Sequence, residues 1–400
     1  IYIQIYINNL LLLFILWITE DIMELSCTKN EMIEILNTVQ RAVTVKSTMP
    51  IMECIKIDCY AGEKAIFTGN NTELCIEYQA KNLNIPTGGS IALASRIFGD
   101  IVRKLPDGII KIAVDEETNV TKITGGISEF NIQGLIANEY PSPPVINEIM
   151  SFQLEERVLK DILKKLISFI AVNEGKRPTL TGALFEIKGN ELTVVASDGH
   201  RLGVVKETIS KSLEHARFII PGSTLRELLK ILKDDESLID IIIAERHVML
   251  KFESFKVFTR LLEGDFLKYE PIISANNTIK MEVNTLELKD SLERAMLIIN
   301  DDEASPDKRM PVRLTIGFDK IEISCITPKG KVNDEISAKI EGGELLIGFN
   351  CRFLIDAISA CDEETIQIEL STPTSGCFMR SLDNQKSNYV FMVLPVRLYN

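Results

Sequence analysis

The feature that most limits how this 400-residue chain can fold is a threefold internal repeat. From Met23 onward, three stretches of about 126 residues carry the same succession of patterns, and periodicity on that scale decides an architecture before any single motif does. Each stretch opens on a short strand: Met23-Glu24-Leu25-Ser26, Met150-Ser151-Phe152-Gln153 and Met281-Glu282-Val283-Asn284. An amphipathic helix follows at 30–43, 155–170 and 285–299, with apolar residues at i, i+3 and i+4. After each helix a basic residue stands close to a proline: Lys46 with Pro50, Lys176-Arg177 with Pro178, and Lys308-Arg309 with Pro311. A second helical pattern, apolar-x-acid-apolar-apolar, recurs at Phe98–Val102, Leu225–Leu229 and Leu354–Ile358. The first two units also end alike, Gly134–Pro141 matching Arg260–Leu267 at a spacing of 126. Each match is weak alone; their common order makes the repeat.

Between the helices lie alternating β-branched runs such as Ala65–Thr68, Leu192–Ala196 and Lys320–Ser324. Gly69-Asn70-Asn71, Asp198-Gly199 and Pro328-Lys329-Gly330 punctuate them as hairpin turns, which implies antiparallel sheets. The expected fold class is α+β: three tandem domains, each with two helices packed on antiparallel sheets of roughly eight strands. Their expected extents are 23–145, 146–272 and 273–400, with linkers at Tyr140–Pro144 and Lys268–Ala275.

The first 22 residues stand outside this scheme. The apolar run Leu10–Ile18 is shorter than the ~20 residues that span a bilayer, and no lysine or arginine precedes it. Residues 1–22 therefore read as a non-native or disordered apolar extension, ahead of an interfacial anchor or a secretory signal.

Composition narrows the function. With 44 basic against 57 acidic residues the net charge is −13, so contact with nucleic acid requires a locally basic surface. Eight cysteines without a C-x-x-C pair, and three histidines, lack zinc-ligand spacing and read as reduced thiols of a cytosolic protein. Ser197, Asp198 and His200 supply the residue types of a hydrolytic triad, but neighbours on a hairpin point in different directions. With no G-x-S-x-G elbow, phosphate loop or dinucleotide fingerprint, no enzyme, metal or cofactor is expected.

Three further stretches carry a family resemblance: Arg177–Glu186, reading RPTLTGALFE; Ala196–Leu202, reading ASDGHRL; and the ending Leu394-Pro395-Val396-Arg397-Leu398. In this order, within the repeat, the chain from Met23 to about Leu398 resembles the bacterial DNA polymerase sliding clamps, the β subunits of the replicative polymerase. The resemblance implies a DNA-clamp domain in each repeat and a ring with helices lining its central hole. It implies a head-to-tail homodimer encircling duplex DNA independently of sequence, and a cytoplasmic, nucleoid-associated processivity factor. The implied partners are the replicative polymerase, the clamp loader and other proteins carrying a clamp-binding peptide, with no membrane involved.

Carried over by position, the peptide pocket comprises Leu180, Ser197, Gly199, His200, Arg201, Leu202 and Ile272, completed by Val393, Leu394, Pro395, Val396, Arg397 and Leu398. Leu267 and Pro271 depart from the family pattern along that wall, and Tyr399-Asn400 extend past its usual end. The implied DNA contacts are Lys46, Lys176, Arg177, Lys308 and Arg309 in the post-helix loops, and the implied dimer contacts are Phe130 and Ile132 against Leu297 and Ile298. Arg96, Arg103, Lys104, Arg157, Lys160, Lys164, Lys165, Arg226, Lys230 and Lys233 extend the expected basic face along the helices. The alternative is a repeat-built peptide-docking scaffold that does not encircle DNA.

Overall fold

The computed structural model describes residues 22–398 apart from 174, 176, 275, 301–309 and 384–387. The apolar extension, except Ile22, and Lys176, Lys308, Arg309, Tyr399 and Asn400 thus lie outside the described residues.

The first repeat contains β1 (Ile22–Thr28), α1 (Lys29–Val39), β2 (Cys54–Tyr60), β3 (Lys64–Asn70), β4 (Leu74–Ala80), β5 (Asn84–Thr87), β6 (Gly89–Ala94), α2 (Ser95–Lys104), β7 (Ile109–Asp115), β8 (Val120–Gly125) and β9 (Ser128–Gln133). The second contains β10 (Met150–Glu155), α3 (Glu156–Leu166), β11 (Gly182–Ser197), β12 (Arg201–Pro221), α4 (Gly222–Ile231), β13 (Leu238–Ile243), β14 (His247–Lys251) and β15 (Phe255–Arg260). The third contains α5 (Glu270–Ile273), β16 (Ile279–Asn284), α6 (Thr285–Asn300), β17 (Val312–Ile316), β18 (Lys320–Thr327), β19 (Gly330–Glu341), β20 (Leu345–Phe349), α7 (Cys351–Ile358), β21 (Thr365–Leu370), β22 (Cys377–Ser381) and β23 (Tyr389–Val393). Both helices of every repeat fall where the spacing predicts them. The middle repeat has fewer strands because β11 and β12, of 16 and 21 residues, run on through register shifts between Ile187 and Glu191.

The chain forms two compact units, Ile1–Ser151 with Leu238–Arg260, and Phe152–Ser237 with Leu261–Asn400. These differ from the three repeats because sheets continue through the repeat boundaries. Inside the first unit β15 pairs with β4, from Phe255 opposite Tyr78 to Thr259 opposite Leu74. Inside the second, β12 pairs with β23, from Arg201 opposite Val393 to Val205 opposite Tyr389.

In the first unit, one sheet has the order β5-β1-β7-β8-β9, and the strands β13-β14-β15-β4-β3-β2-β6 follow one another in a second. Helix α1 starts at a capping box in which the Thr28 hydroxyl and the Glu31 carboxylate each receive the other's backbone N–H, satisfying donors the first turn leaves open. It buries Met32, Ile35, Leu36 and Val39, then tightens into a 3₁₀ turn at Gln40–Ala42, earlier than the helical period predicts. The expected first linker is anchored at its start: Tyr140 is buried, and its hydroxyl donates to the Cys54 carbonyl at 3.1 Å.

In the second unit ten strands follow the order β11-β12-β23-β22-β21-β16-β19-β18-β17-β20. Helix α3 buries Leu159, Ile162, Leu163 and Leu166, each worth ~1.5–3 kcal/mol relative to exposure. Leu180, Leu184, Val195, Leu202, Val204, Ile219, Phe266, Tyr269, Phe378 and Met392 form a core cluster, with Leu267, Ile272 and Ile273 packed against it. The expected second linker therefore contains the short helix α5 and a buried tyrosine.

Candidate functional site

A cleft of about 560 Å³ opens above this cluster, entirely within the second unit. One wall is the β11–β12 turn. The Ser197 hydroxyl donates to the Arg201 carbonyl at 2.7 Å and accepts the Gly199 N–H at 3.1 Å, while Asp198 Oδ1 accepts the N–H groups of His200 and Arg201 at 2.9 and 3.0 Å. Gly199 has φ +88°, a conformation a Cβ disfavours, so glycine is what lets the chain turn there. Ser197, Asp198 and His200 thus build a turn; the Ser197 hydroxyl and the Asp198 carboxylate both engage Arg201 and form no relay to the imidazole.

Arg201 is the junction of the wall. Its Nε lies 2.9 Å from Asp198 Oδ2, its Nη1 lies 2.7 Å from Asp356 Oδ2 on α7, and its Nη2 donates to the Ser168 carbonyl. The guanidinium lies 4.4 Å from the centre of the Phe353 ring, on which His200 also stacks. A residue only 8% exposed that reaches three segments fixes their mutual placement.

The opposite wall is the segment Asp265–Ile272, which contributes Asp265, Phe266, Leu267, Lys268 and Ile272. Thr179 Oγ1 donates to the Asp265 carbonyl at 3.2 Å, and Tyr269, facing the core, donates its hydroxyl to Glu186 Oε2 at 2.5 Å. Burial alone raises the Glu186 pKa, but hydrogen bonds from Tyr269, His215 and Lys188 outweigh it and bring the carboxyl down to about 2. The third side is the chain end: the Leu394 N–H donates to the His200 carbonyl at 2.8 Å and the Val396 N–H to the Gly348 carbonyl at 2.9 Å. Leu398 lies over Gly348, where a Cβ would come within 2.5 Å of its methyl carbon.

Of the pocket residues expected from sequence, Ser197, Gly199, Arg201, Leu202, Ile272 and Leu394 line the cleft. Leu180 packs in the cluster beneath it, and His200, Pro395, Val396, Arg397 and Leu398 lie along the adjoining turn and tail. Val393 is fully buried and does not line it. Thr179, Asp265, Phe266, Lys268 and Met392 line the cleft without having been singled out. Met392 stands opposite Leu202 in the β12–β23 pairing, beside a residue that the sequence did single out. The cleft floor is apolar, from Leu202, Phe266, Leu267, Ile272, Met392 and Leu394, while the charged residues of its fringe are Arg177, Arg201 and Lys268 against one acid, Asp265.

The expected basic residues divide. Lys46 is exposed on a loop, and Arg177, also exposed, borders the cleft. Lys165 departs from expectation: it is 5% exposed, with Nζ 2.6 Å from Asp161 and 2.7 Å from Asp362, so it cannot join an exposed basic face. Arg157 pairs with Glu155 and Glu236, and Lys160 and Lys164 with Asp234, because the acidic turn after α4 lies beside α3. Arg96, Lys104 and Lys233 are exposed.

Phe130, 39% exposed, and half-buried Ile132 stand on β9, the edge of the five-stranded sheet. Leu297 is 72% exposed near the end of α6, beside partly covered Ile298. Among the described residues no group of His, Cys, Asp and Glu is placed to hold a metal ion, and no helix is long and apolar enough to cross a membrane.

Comparison with known proteins places the whole repeat array. Models of the N-terminal, central and C-terminal domains of the DNA polymerase III beta subunit match residues 23–144, 153–268 and 270–396. A beta sliding clamp of Halalkalibacterium halodurans is 35% identical over 377 residues, covering 91% of this chain and 97% of the relative. The crystal structure of the DNA polymerase sliding clamp from Bacillus subtilis superposes with a TM-score of 0.88 at 31% identity, covering 94% of this chain and all of that one. A putative DNA polymerase III beta subunit from Eubacterium rectale does so with a TM-score of 0.87 at 32% identity and the same coverage.

Proposed function

Since this chain belongs to the DNA polymerase III beta subunit family, the sliding clamps, we propose that it acts as a non-catalytic processivity factor, closing as a head-to-tail homodimer around duplex DNA and holding its polymerase through the cleft. The observation that carries the tethering half is that cleft. Its apolar floor suits a leucine or phenylalanine anchor of a short peptide, and its arginines and lysine orient the chain that bears it. The tail residues Val396 and Leu398 extend the apolar surface from the rim, while Leu180 and Val393 support it from below.

Self-association supplies the encircling half. Three similar modules repeat a rotation within one chain, and a heterologous contact between two copies extends the rotation until it closes. Two surfaces support this contact. Edge strand β9 presents Phe130 and Ile132, and among the described residues the Gly330–Ser337 part of β19 pairs only with β18, with Ile298, next to Leu297, near Gly330. Joining the two would continue a sheet from one copy into the next.

For the encircled DNA, the family pattern assigns Lys46, Lys176, Lys308 and Arg309 to phosphate contacts that read no bases, as sliding requires, while Arg177, which borders the cleft, serves the peptide. The clamp loader and other peptide-bearing proteins use the same cleft as the polymerase. The test loads the chain on nicked circular DNA. A ring of about twice the 44.9 kDa chain mass stays bound to the circle and runs off after linearisation; retention indifferent to topology would leave only a peptide-docking scaffold.

A further inference from the structure

We propose that Glu186, which does not line the cleft, is a positioning residue for peptide binding: through the Tyr269 hydroxyl it holds the Asp265–Ile272 wall in the shape that receives the peptide. The proposal rests on the peptide-binding reading above.

Glu186 sits on β11 and is 2% exposed, and a carboxylate so placed must be fully partnered. Lys188 Nζ lies 3.1 Å away, His215 Nε2 3.1 Å and Arg217 Nε 3.4 Å. All three belong to the β11–β12 hairpin and are 41–55% exposed at the side chain, so they balance the charge locally. Tyr269 is different. It comes from a separate stretch of chain, is 3% exposed, and makes the shortest of the four contacts at 2.5 Å.

Apart from its packing on the core, that stretch has little secondary structure to hold its shape. Helix α5 has four residues, too few to be stable without outside contacts. Thr179 fixes the start of the wall at the Asp265 carbonyl, and Arg380 fixes its end by donating to the Ile273 carbonyl at 2.9 Å. Tyr269 lies midway, and its carbonyl accepts the N–H groups of Ile272 and Ile273 at 3.0 and 3.2 Å. One residue therefore has its hydroxyl moored to Glu186 and its carbonyl setting the turn that carries Ile272 into the cleft. Phe266, Leu267 and Lys268 lie just upstream of the mooring. A hydrogen bond to an ionised acceptor is roughly twice as strong as a neutral one, which suits the mooring at the middle of the wall.

The experiment measures fluorescence anisotropy of a fluorescein-labelled decapeptide bearing adjacent leucine and phenylalanine, titrated with the full chain. Tyr269→Phe should weaken binding about tenfold, mainly through faster dissociation, and still reach the wild-type plateau at higher protein concentration. Glu186→Leu, which leaves the Tyr269 hydroxyl no acceptor, should weaken it similarly, and the double variant should be no weaker than Tyr269→Phe alone, since both break one link. Tyr140→Phe removes the tyrosine hydroxyl at the first repeat boundary, bonded there to the Cys54 carbonyl, and should leave affinity unchanged. Wild-type affinity in Tyr269→Phe, additive losses in the double variant, or an equal loss in Tyr140→Phe would each overturn the positioning role. A wild-type chain that fails to bind the peptide overturns the cleft reading itself.

Discussion

The Arg201–Asp356 pair offers the most direct test of how the cleft is held. Its side chains are 9% and 18% exposed and meet at 2.7 Å. At an effective dielectric near 20, two unit charges about 4 Å apart attract by about 4 kcal/mol. Two features reduce this: Asp356 has a second partner in Arg352 at 3.2 Å, and part of each side chain reaches water. A coupling of about 2 kcal/mol remains. Arg201→Met keeps the stem against Phe353 but leaves Asp198 and Asp356 without their shared cation, at a cost of about 2–4 kcal/mol. Asp198 then retains its two backbone N–H donors, which keeps the loss toward the lower end. Asp356→Asn keeps the shape and removes the charge. Urea denaturation followed by circular dichroism on wild type, both single variants and the double variant gives the coupling directly. A coupling below about 0.5 kcal/mol would refute the claim that this ion pair joins the turn to α7.

Three other outcomes follow from the same contacts. Because the Glu186 pKa falls from 4.5 to about 2 on folding, its contribution is complete above pH about 5.5 and disappears as pH falls through 4.5 toward 2; the melting-temperature gap between wild type and Glu186→Gln should close over that interval. Val396→Ala with Leu398→Ala should weaken the labelled peptide several-fold while leaving the solution mass of the assembly unchanged by light scattering, and loss of assembly would remove the tail from the peptide site. Lys46→Glu should lower the slope of log affinity against log salt for DNA by about one or more, and an unchanged slope would place Lys46 away from the phosphates.

The repeat and its helices were legible because apolar spacing is local: α1 and α3 begin within one residue of the predicted positions, and α6 begins at the predicted residue. The short strands and the Asp198-Gly199 turn were legible for the same reason. The burial of Lys165 was not, since it depends on Asp362 nearly 200 residues away. The pairing of β15 with β4 was equally hidden, because two alternating strands fit many partners and sequence spacing does not say which. At the cleft, the turn and Leu394 came from the family pattern, whereas Phe266, Asp265 and Thr179 required knowing that a presumed linker folds back onto the core. Val393 shows a simpler miss, a run of tail residues assigned together although the strand ends at Val393, fully buried, and only the residues beyond it, such as Leu394 and Val396, reach the surface.

The strand ladders that cross the repeat boundaries tie a part of each module to its neighbour within one unit. A fragment cut at residue 145 would expose the β4 edge from Leu74 to Ala80, and one cut at 272 would expose β12 from Arg201 to Val205, both ready templates for aggregation. Neither boundary is a loose hinge, since bending there means breaking a run of backbone hydrogen bonds. Within each unit, parting neighbouring repeats therefore means unzipping a strand pair, not flexing a connector.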